Sequence, residues 1–217
     1  ATESNIVLDN ASNAFSNSVT MKAGTAGGLT FGNITFVDSA AVKFHSSAGT
    51  NGDLYINAAT DGAIGGNLNV TATTGNITQG QTLAVTEATT LITSADDADI
   101  NLNNTSNKFT GALTITTNDS SGSNSDATIA AGDSDKLIFA ASTIDGNLTV
   151  TSSFVPVDSD SSGTISEAES NGITDSGSVT VRGTSSFQTT GTDANISLGT
   201  STLGDGTGTD TITLNTT

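Results

Sequence analysis

The chain has 217 residues, with 22 Asp and Glu against five Lys and Arg, and a formal net charge of −17. So few cations exclude nucleic acid as a partner that binds through phosphate neutralisation, and they disfavour an anionic membrane surface. The absence of Cys excludes disulfide frameworks, thiolate catalysis and Cys-zinc sites.

Aromatic residues make up 4% and hydrophobic residues 34%, with 24 Gly and one Pro. A core of large side chains is not expected; small and β-branched residues with regular backbone pairing are. No apolar run approaches the roughly 18–20 residues of a membrane helix, so no membrane insertion is predicted. The opening Ala1-Thr2-Glu3-Ser4 has neither Met nor a signal-peptide pattern, which suggests a processed protein or a piece of one. Acidic, Ser/Thr/Gly-rich chains are often disordered, but the apolar pattern here is too regular for that.

In chain order, short apolar-polar-apolar runs occur at Ile6-Val7-Leu8, Val19-Thr20-Met21, Leu54-Tyr55-Ile56, Leu68-Asn69-Val70 and Leu83-Ala84-Val85. They continue at Leu113-Thr114-Ile115, Leu148-Thr149-Val150 and Val179-Thr180-Val181. Period-2 alternation predicts strands with one buried face, and the Gly, Asn, Asp and Ser between them predict turns. No segment carries a helical apolar stripe, so the chain is predicted to be all-β.

The runs repeat. Asn5-Ile6-Val7-Leu8-Asp9-Asn10-Ala11-Ser12-Asn13-Ala14-Phe15 returns as Asp99-Ile100-Asn101-Leu102-Asn103-Asn104-Thr105-Ser106-Asn107-Lys108-Phe109, 94 residues later. Gly66 to Thr71 returns at Gly146 to Thr151, 80 residues on, and Ile77 and Leu83 to Val85 return at Ile173 and Val179 to Val181, 96 residues on. Ile100-Asn101-Leu102 returns as Ile196-Ser197-Leu198. These offsets predict repeats at about 5–98 and 99–194, the start of a third at 195–217, and an insertion of about 16 residues within about 153–171.

Small residues and frequent short strands suit a single parallel β-solenoid, or β-helix, over 1–217, with coils stacked about 4.8 Å apart and inward Ile, Leu, Val and Phe in ladders. The alternative is a set of β-sandwich repeats with tight hairpins at Asn51-Gly52, Asp61-Gly62, Asp145-Gly146 and Asn171-Gly172.

The runs Leu137 to Thr151 and Val179 to Phe187, with Asn104 to Gly111, resemble the repeats of filamentous-haemagglutinin-like bacterial exoproteins. That resemblance implies a right-handed β-helix, secretion to the bacterial cell surface or beyond, and adhesive or fibre-like work. It implies no catalytic residues.

The inserted stretch reads Asp158-Ser159-Asp160-Ser161-Ser162-Gly163-Thr164-Ile165-Ser166-Glu167-Ala168-Glu169. It is similar to the twelve-residue calcium loop of EF-hands, which needs side-chain oxygens at alternate positions, Gly at the sixth and a carboxylate at the twelfth. The resemblance makes Asp158, Asp160, Ser162, Thr164, Ser166 and Glu169 candidate Ca2+ ligands, with Ile165 as the apolar anchor. The flanks depart from that family: Ser152 to Val157 is not a helix, and Glu167 to Ser170 allows about one turn.

Other sites carry less. Asp96-Asp97-Ala98-Asp99 and Asp133-Ser134-Asp135 read as solvated turns, and Lys136 beside the latter as an ordinary surface ion pair. The single His45 follows Phe44 in an alternating run and is expected to face solvent. Paired Thr at Thr71/Thr73, Thr114/Thr116, Thr149/Thr151 and Thr211/Thr213 could present hydroxyl rows, although Thr is simply a good solvent-facing strand residue. The several Asn-x-Ser/Thr sequons follow from the composition. The residues, with what these resemblances imply, thus predict a non-enzymatic, calcium-stabilised structural segment of a surface adhesin or fibre. Its partners would be further copies stacked end to end, or covalently linked repeats. The alternative is a β-helix that binds or processes surface glycans.

Overall fold

A computed structural model describes residues 5–21, 23, 32–45, 53–56, 64–120, 124–132, 136–204 and 211–216. Its first strands are β1 (Ile6–Leu8), β2 (Val19–Met21), β3 (Ile34–Asp38), β4 (Val42–Phe44), β5 (Asp53–Ile56), β6 (Leu68–Ala72) and β7 (Ile77–Gln79). Next come β8 (Ala84–Val85), β9 (Thr89–Thr93), β10 (Ile100–Leu102), β11 (Lys108–Phe109), β12 (Leu113–Thr116), β13 (Ala127–Ala131), β14 (Leu137–Phe139), β15 (Ser142–Ile144) and β16 (Leu148–Ser152). A single helical turn, α1 (Glu167–Ser170), precedes β17 (Asn171–Asp175), β18 (Val179–Val181), β19 (Ser185–Thr189), β20 (Asn195–Ser197), β21 (Thr202–Leu203) and β22 (Ile212–Thr216).

One sheet follows the order β1-β3-β6-β9-β12-β14-β17-β20, with β15, β18 and β21 continuing it beside β12. A second follows β2-β5-β4-β7-β10-β13-β16-β19-β22, and β8 pairs with β11. All of these pairings are parallel. The chain passes from one sheet to the other and back, each circuit resting on the last: a parallel β-solenoid. β5 excepted, residues paired across neighbouring coils lie between 21 positions apart (Leu68 with Thr89) and 37 apart (Leu148 with Ser185).

The sandwich alternative falls with this topology, since hairpins join antiparallel strands. Asp145-Gly146 is a corner between β15 on the first sheet and β16 on the second, and Asn171-Gly172 opens β17. Gly146 is needed for close stacking: a Cβ there would lie 2.6 Å from the Ser125 carbonyl of the coil below. Asn51-Gly52 and Asp61-Gly62 lie outside the described residues.

Inward side chains form the ladders that alternation demands. Phe36, Val70, Leu91 and Ile115 line up through the first sheet, and Leu102, Ile129, Val150 and Phe187 through the second. All are buried, and each contributes about 1.5–3 kcal/mol by leaving water.

Polar ladders run beside the apolar ones. The residue before each strand is often Asn or Asp, and its side-chain oxygen accepts the N–H of the equivalent residue one coil on. Asn5 accepts from Asn33, Asn33 from Asn67 and Asn67 from Ala88 at 2.8–3.0 Å. On the second sheet Asn76 accepts from Asp99, Asp99 from Asp126, Asp126 from Asn147 and Asn147 from Thr184. These bonds satisfy corner N–H groups that strand pairing leaves over. Asn33, Asn76 and Asn147 belong to sequons, and their side chains serve as rungs of this ladder.

The sequence repeat has a local meaning. In both copies the strand is followed by a turn in which Asn10 or Asn104 accepts the N–H of Ser12 or Ser106. Then Asn13 donates to the carbonyls of Leu8 and Val37, while Asn107 donates to those of Leu102 and Ala130. Yet β1 belongs to the first sheet and β10 to the second. Strands matched at 80 residues (β6, β16) and at 96 (β7, β17) also change sheets. The repeated motif therefore encodes a strand and its corner, usable on either face.

Two buried Thr of β9 separate packing from hydrogen bonding. Thr93 Oγ1 donates to the Ala98 carbonyl at 3.0 Å, whereas Thr89 Oγ1, between Leu68 and Leu113, has no partner. Thr89→Val is expected to stabilise the protein by about 1 kcal/mol and Thr93→Val to destabilise it by about 1–2 kcal/mol. Urea denaturation checks both signs, and equal effects would contradict the assignment.

Candidate metal centre

Between β16 and β17 the chain leaves the coil. Ser153 still donates its N–H to Ala131, Pro156 is buried, and the segment then turns back on itself through the acidic stretch. Asp158 accepts the N–H of Ser162 (3.0 Å) on one oxygen and that of Gly163 (2.7 Å) on the other. Asp160 shares the Ser162 N–H at 3.0 Å. Gly163 sits at φ +84°, a left-handed conformation that Gly adopts without steric cost. Glu169, on α1, accepts the N–H and hydroxyl of Ser159 (2.7 and 2.6 Å) on Oε1 and the N–H of Ser166 (2.9 Å) on Oε2.

These bonds gather Asp158, Asp160 and Glu169 so that one carboxylate oxygen from each lies within 4.8 Å of the others. Of the other predicted ligands, the Ser162 hydroxyl donates to the Thr164 carbonyl at 3.0 Å, and Ser166 contributes its N–H to Glu169. Ile165, expected to be an anchor, is 38% exposed, because α1 is too short to bury it.

Hydrogen bonds keep Glu169 and Asp158 ionised. The Ser159 hydroxyl, followed by the Ser166 N–H, holds the Glu169 carboxyl at about 2, below its ordinary 4.5. The Gly163 N–H lowers Asp158 despite the repulsion from Glu169. The three carboxylates form a hard-oxygen set of the kind that suits a hard divalent cation. Because the Glu169 pKa is depressed by folding, loop closure is favoured fully above about pH 4.5 and is lost as the pH falls toward 2. A carboxyl-carbon NMR titration should place the Glu169 midpoint near 2. A midpoint near 4.5 would contradict the closure.

The other acidic clusters serve the stack. Asp96 accepts the N–H and hydroxyl of Ser120 one coil on, which lowers its pKa, and Asp99 is a ladder rung. Asp133 to Asp135 lie outside the described residues, and Lys136 is exposed. His45 is half-buried, and Arg182 meets Asp145 at 3.7 Å. Asp175 was not legible in the sequence. Burial opposes its charge, but the N–H groups of Thr200 and Gly199 with the hydroxyls of Ser201 and Thr200 outweigh that and lower its pKa. Its partners stand 24–26 residues away, and no local motif announces them.

The Thr pairs do not share a face. Thr71 and the Thr114/Thr116 pair lie on the first sheet, Thr149/Thr151 and Thr213 on the second. No helix among the described residues is long and apolar enough to cross a membrane.

A family described as repeats of unknown function (DUF5649) matches residues 20–116, a little under half of the chain. No curated protein and no solved structure matches it.

Proposed function

We propose that this chain is a structural segment of an extracellular, bacterial cell-surface adhesin or fibre of the filamentous-haemagglutinin-like kind. In this reading Asp158, Asp160 and Glu169, with oxygens from Ser162, Thr164 and Ser166, hold a stabilising Ca2+. One observation supports the structural role: apolar and Asn/Asp ladders pass from coil to coil along both sheets, each coil offering the next the same rungs. In this reading its partners are further coils, from covalently linked repeats or from second copies stacked end to end. Electron microscopy of the isolated chain and of native material should show rods that associate end to end. Compact particles with no end-on association at any concentration would overturn the stacking.

A glycan-binding role is the second reading. It is favoured by a shallow polar groove of about 350 Å³ lined by Thr105, Ser106, Lys108, Gly132 and Ser153, which offers hydroxyls and a cation to a sugar. A glycan array with turnover assays distinguishes the two readings.

A further inference from the structure

Both ends of the insertion touch one corner of the coil above it, the turn between β19 and β20. At the entry, the Ser152 carbonyl accepts the Thr190 N–H at 2.9 Å. Two residues later the Phe154 carbonyl lies against Gly191 so closely that a Cβ on Gly191 would stand 1.8 Å from its oxygen. At the exit, the buried Ser170 hydroxyl, one residue beyond Glu169, accepts the side-chain N–H of Asn195 at 2.6 Å. Gly172 then fits against the Thr189 methyl and the Ala194 Cβ, at 3.1 and 3.2 Å from where its own Cβ would be. The pairing of β17 with β20 is irregular at this place, shifting between Asn171 and Ile173.

We infer that the insertion is a clasp, and that a divalent cation at Asp158, Asp160 and Glu169 controls how firmly the coil of β20, β21 and β22 is held. This rests on the cation reading above. The physical link is short. The cation would fix Glu169 against Asp158 and so fix α1, which the Ser166 carbonyl already ties to the Glu169 and Ser170 N–H groups at 3.1 and 3.0 Å. Fixing α1 fixes the Ser170 hydroxyl, and through it Asn195, the first residue of β20. Entry and exit then close around Thr190 to Asn195 from two sides. Release of the cation loosens the link from Ser170 to Asn195, while the entry contacts and the pairing of β17 with β20 remain.

Hydrogen exchange of the full chain, read by mass spectrometry with and without about 10 mM CaCl2, tests this. For a Kd of order 10⁻⁴–10⁻³ M, linkage limits the slowing to roughly 10- to 100-fold. Slowing is expected in residues 158–169 and also in 190–204. In Ser170→Ala, calcium should slow exchange in the loop but no longer in 190–204. Slowing confined to 158–169 in the unaltered chain, or undiminished at 190–204 in Ser170→Ala, would overturn the clasp. If calcium changes nothing anywhere, the cation reading fails by itself. The clasp is then judged without metal in Glu169→Gln, which weakens loop closure. Faster exchange at 190–204 supports the clasp, and unchanged exchange there overturns it.

Discussion

Asn107→Ala is expected to destabilise the protein by about 3–5 kcal/mol, a large effect for one polar side chain. Asn107 is 1% exposed. Its Nδ2 donates to Gln79 Oε1 (2.9 Å) and to the carbonyls of Leu102 (3.2 Å) and Ala130 (3.1 Å). Its Oδ1 accepts from Gln79 Nε2 and from the Leu83 N–H, both at 2.8 Å. Truncation would leave several of these groups in the core without partners, and each orphan costs about 1–3 kcal/mol. Asn13 makes the matching bonds to Leu8 and Val37 in the first copy of the motif but is only half-buried. Water can replace it there, so Asn13→Ala should cost about 1 kcal/mol. Urea unfolding of the two variants checks the contrast, and equal losses would contradict the role given to burial.

These two Asn also mark what could be read from residue order. The alternation of Ile6 to Leu8 or Leu148 to Val150 reflects a side-chain period that any half-buried strand must show, so the strands and their parallel stacking were legible. The 94-residue offset was legible too, but its physical content was not. Asn13 and Asn107 fasten equivalent corners on different sheets, while the stacking interval of 21–37 residues varies too much to leave a periodic signal. Asx ladders were hidden for the same reason: Asn33 and Asn67 are bonded 34 residues apart and Asp99 and Asp126 27 apart. The acidic triad was legible because its spacing is local. Asp175 was not, because its partners arrive from the next coil.

Calcium is expected to have the second large effect. At about 10 mM it should stabilise the chain by roughly 1.4–2.7 kcal/mol, given a Kd of order 10⁻⁴–10⁻³ M for an extracellular site of few charges. Two features argue for the weak end of the calcium-loop range. Among the described residues the loop is single, and its side chains are largely exposed, so water competes for the ion. One feature favours binding: Asp158 and Glu169 are held charged by N–H and O–H groups, so no proton need be displaced near neutral pH. Asp158→Ala and Glu169→Gln should each abolish the stabilisation, whereas Asp96→Ala, which removes a rung from a distant corner, should leave it intact.

Isothermal titration of the intact chain with CaCl2 is the decisive measurement. One site per chain is expected, with Kd between about 10⁻⁴ and 10⁻³ M, absent in Asp158→Ala and in Glu169→Gln. No calcium-dependent heat in the intact chain, or the same heat in both variants, would contradict it.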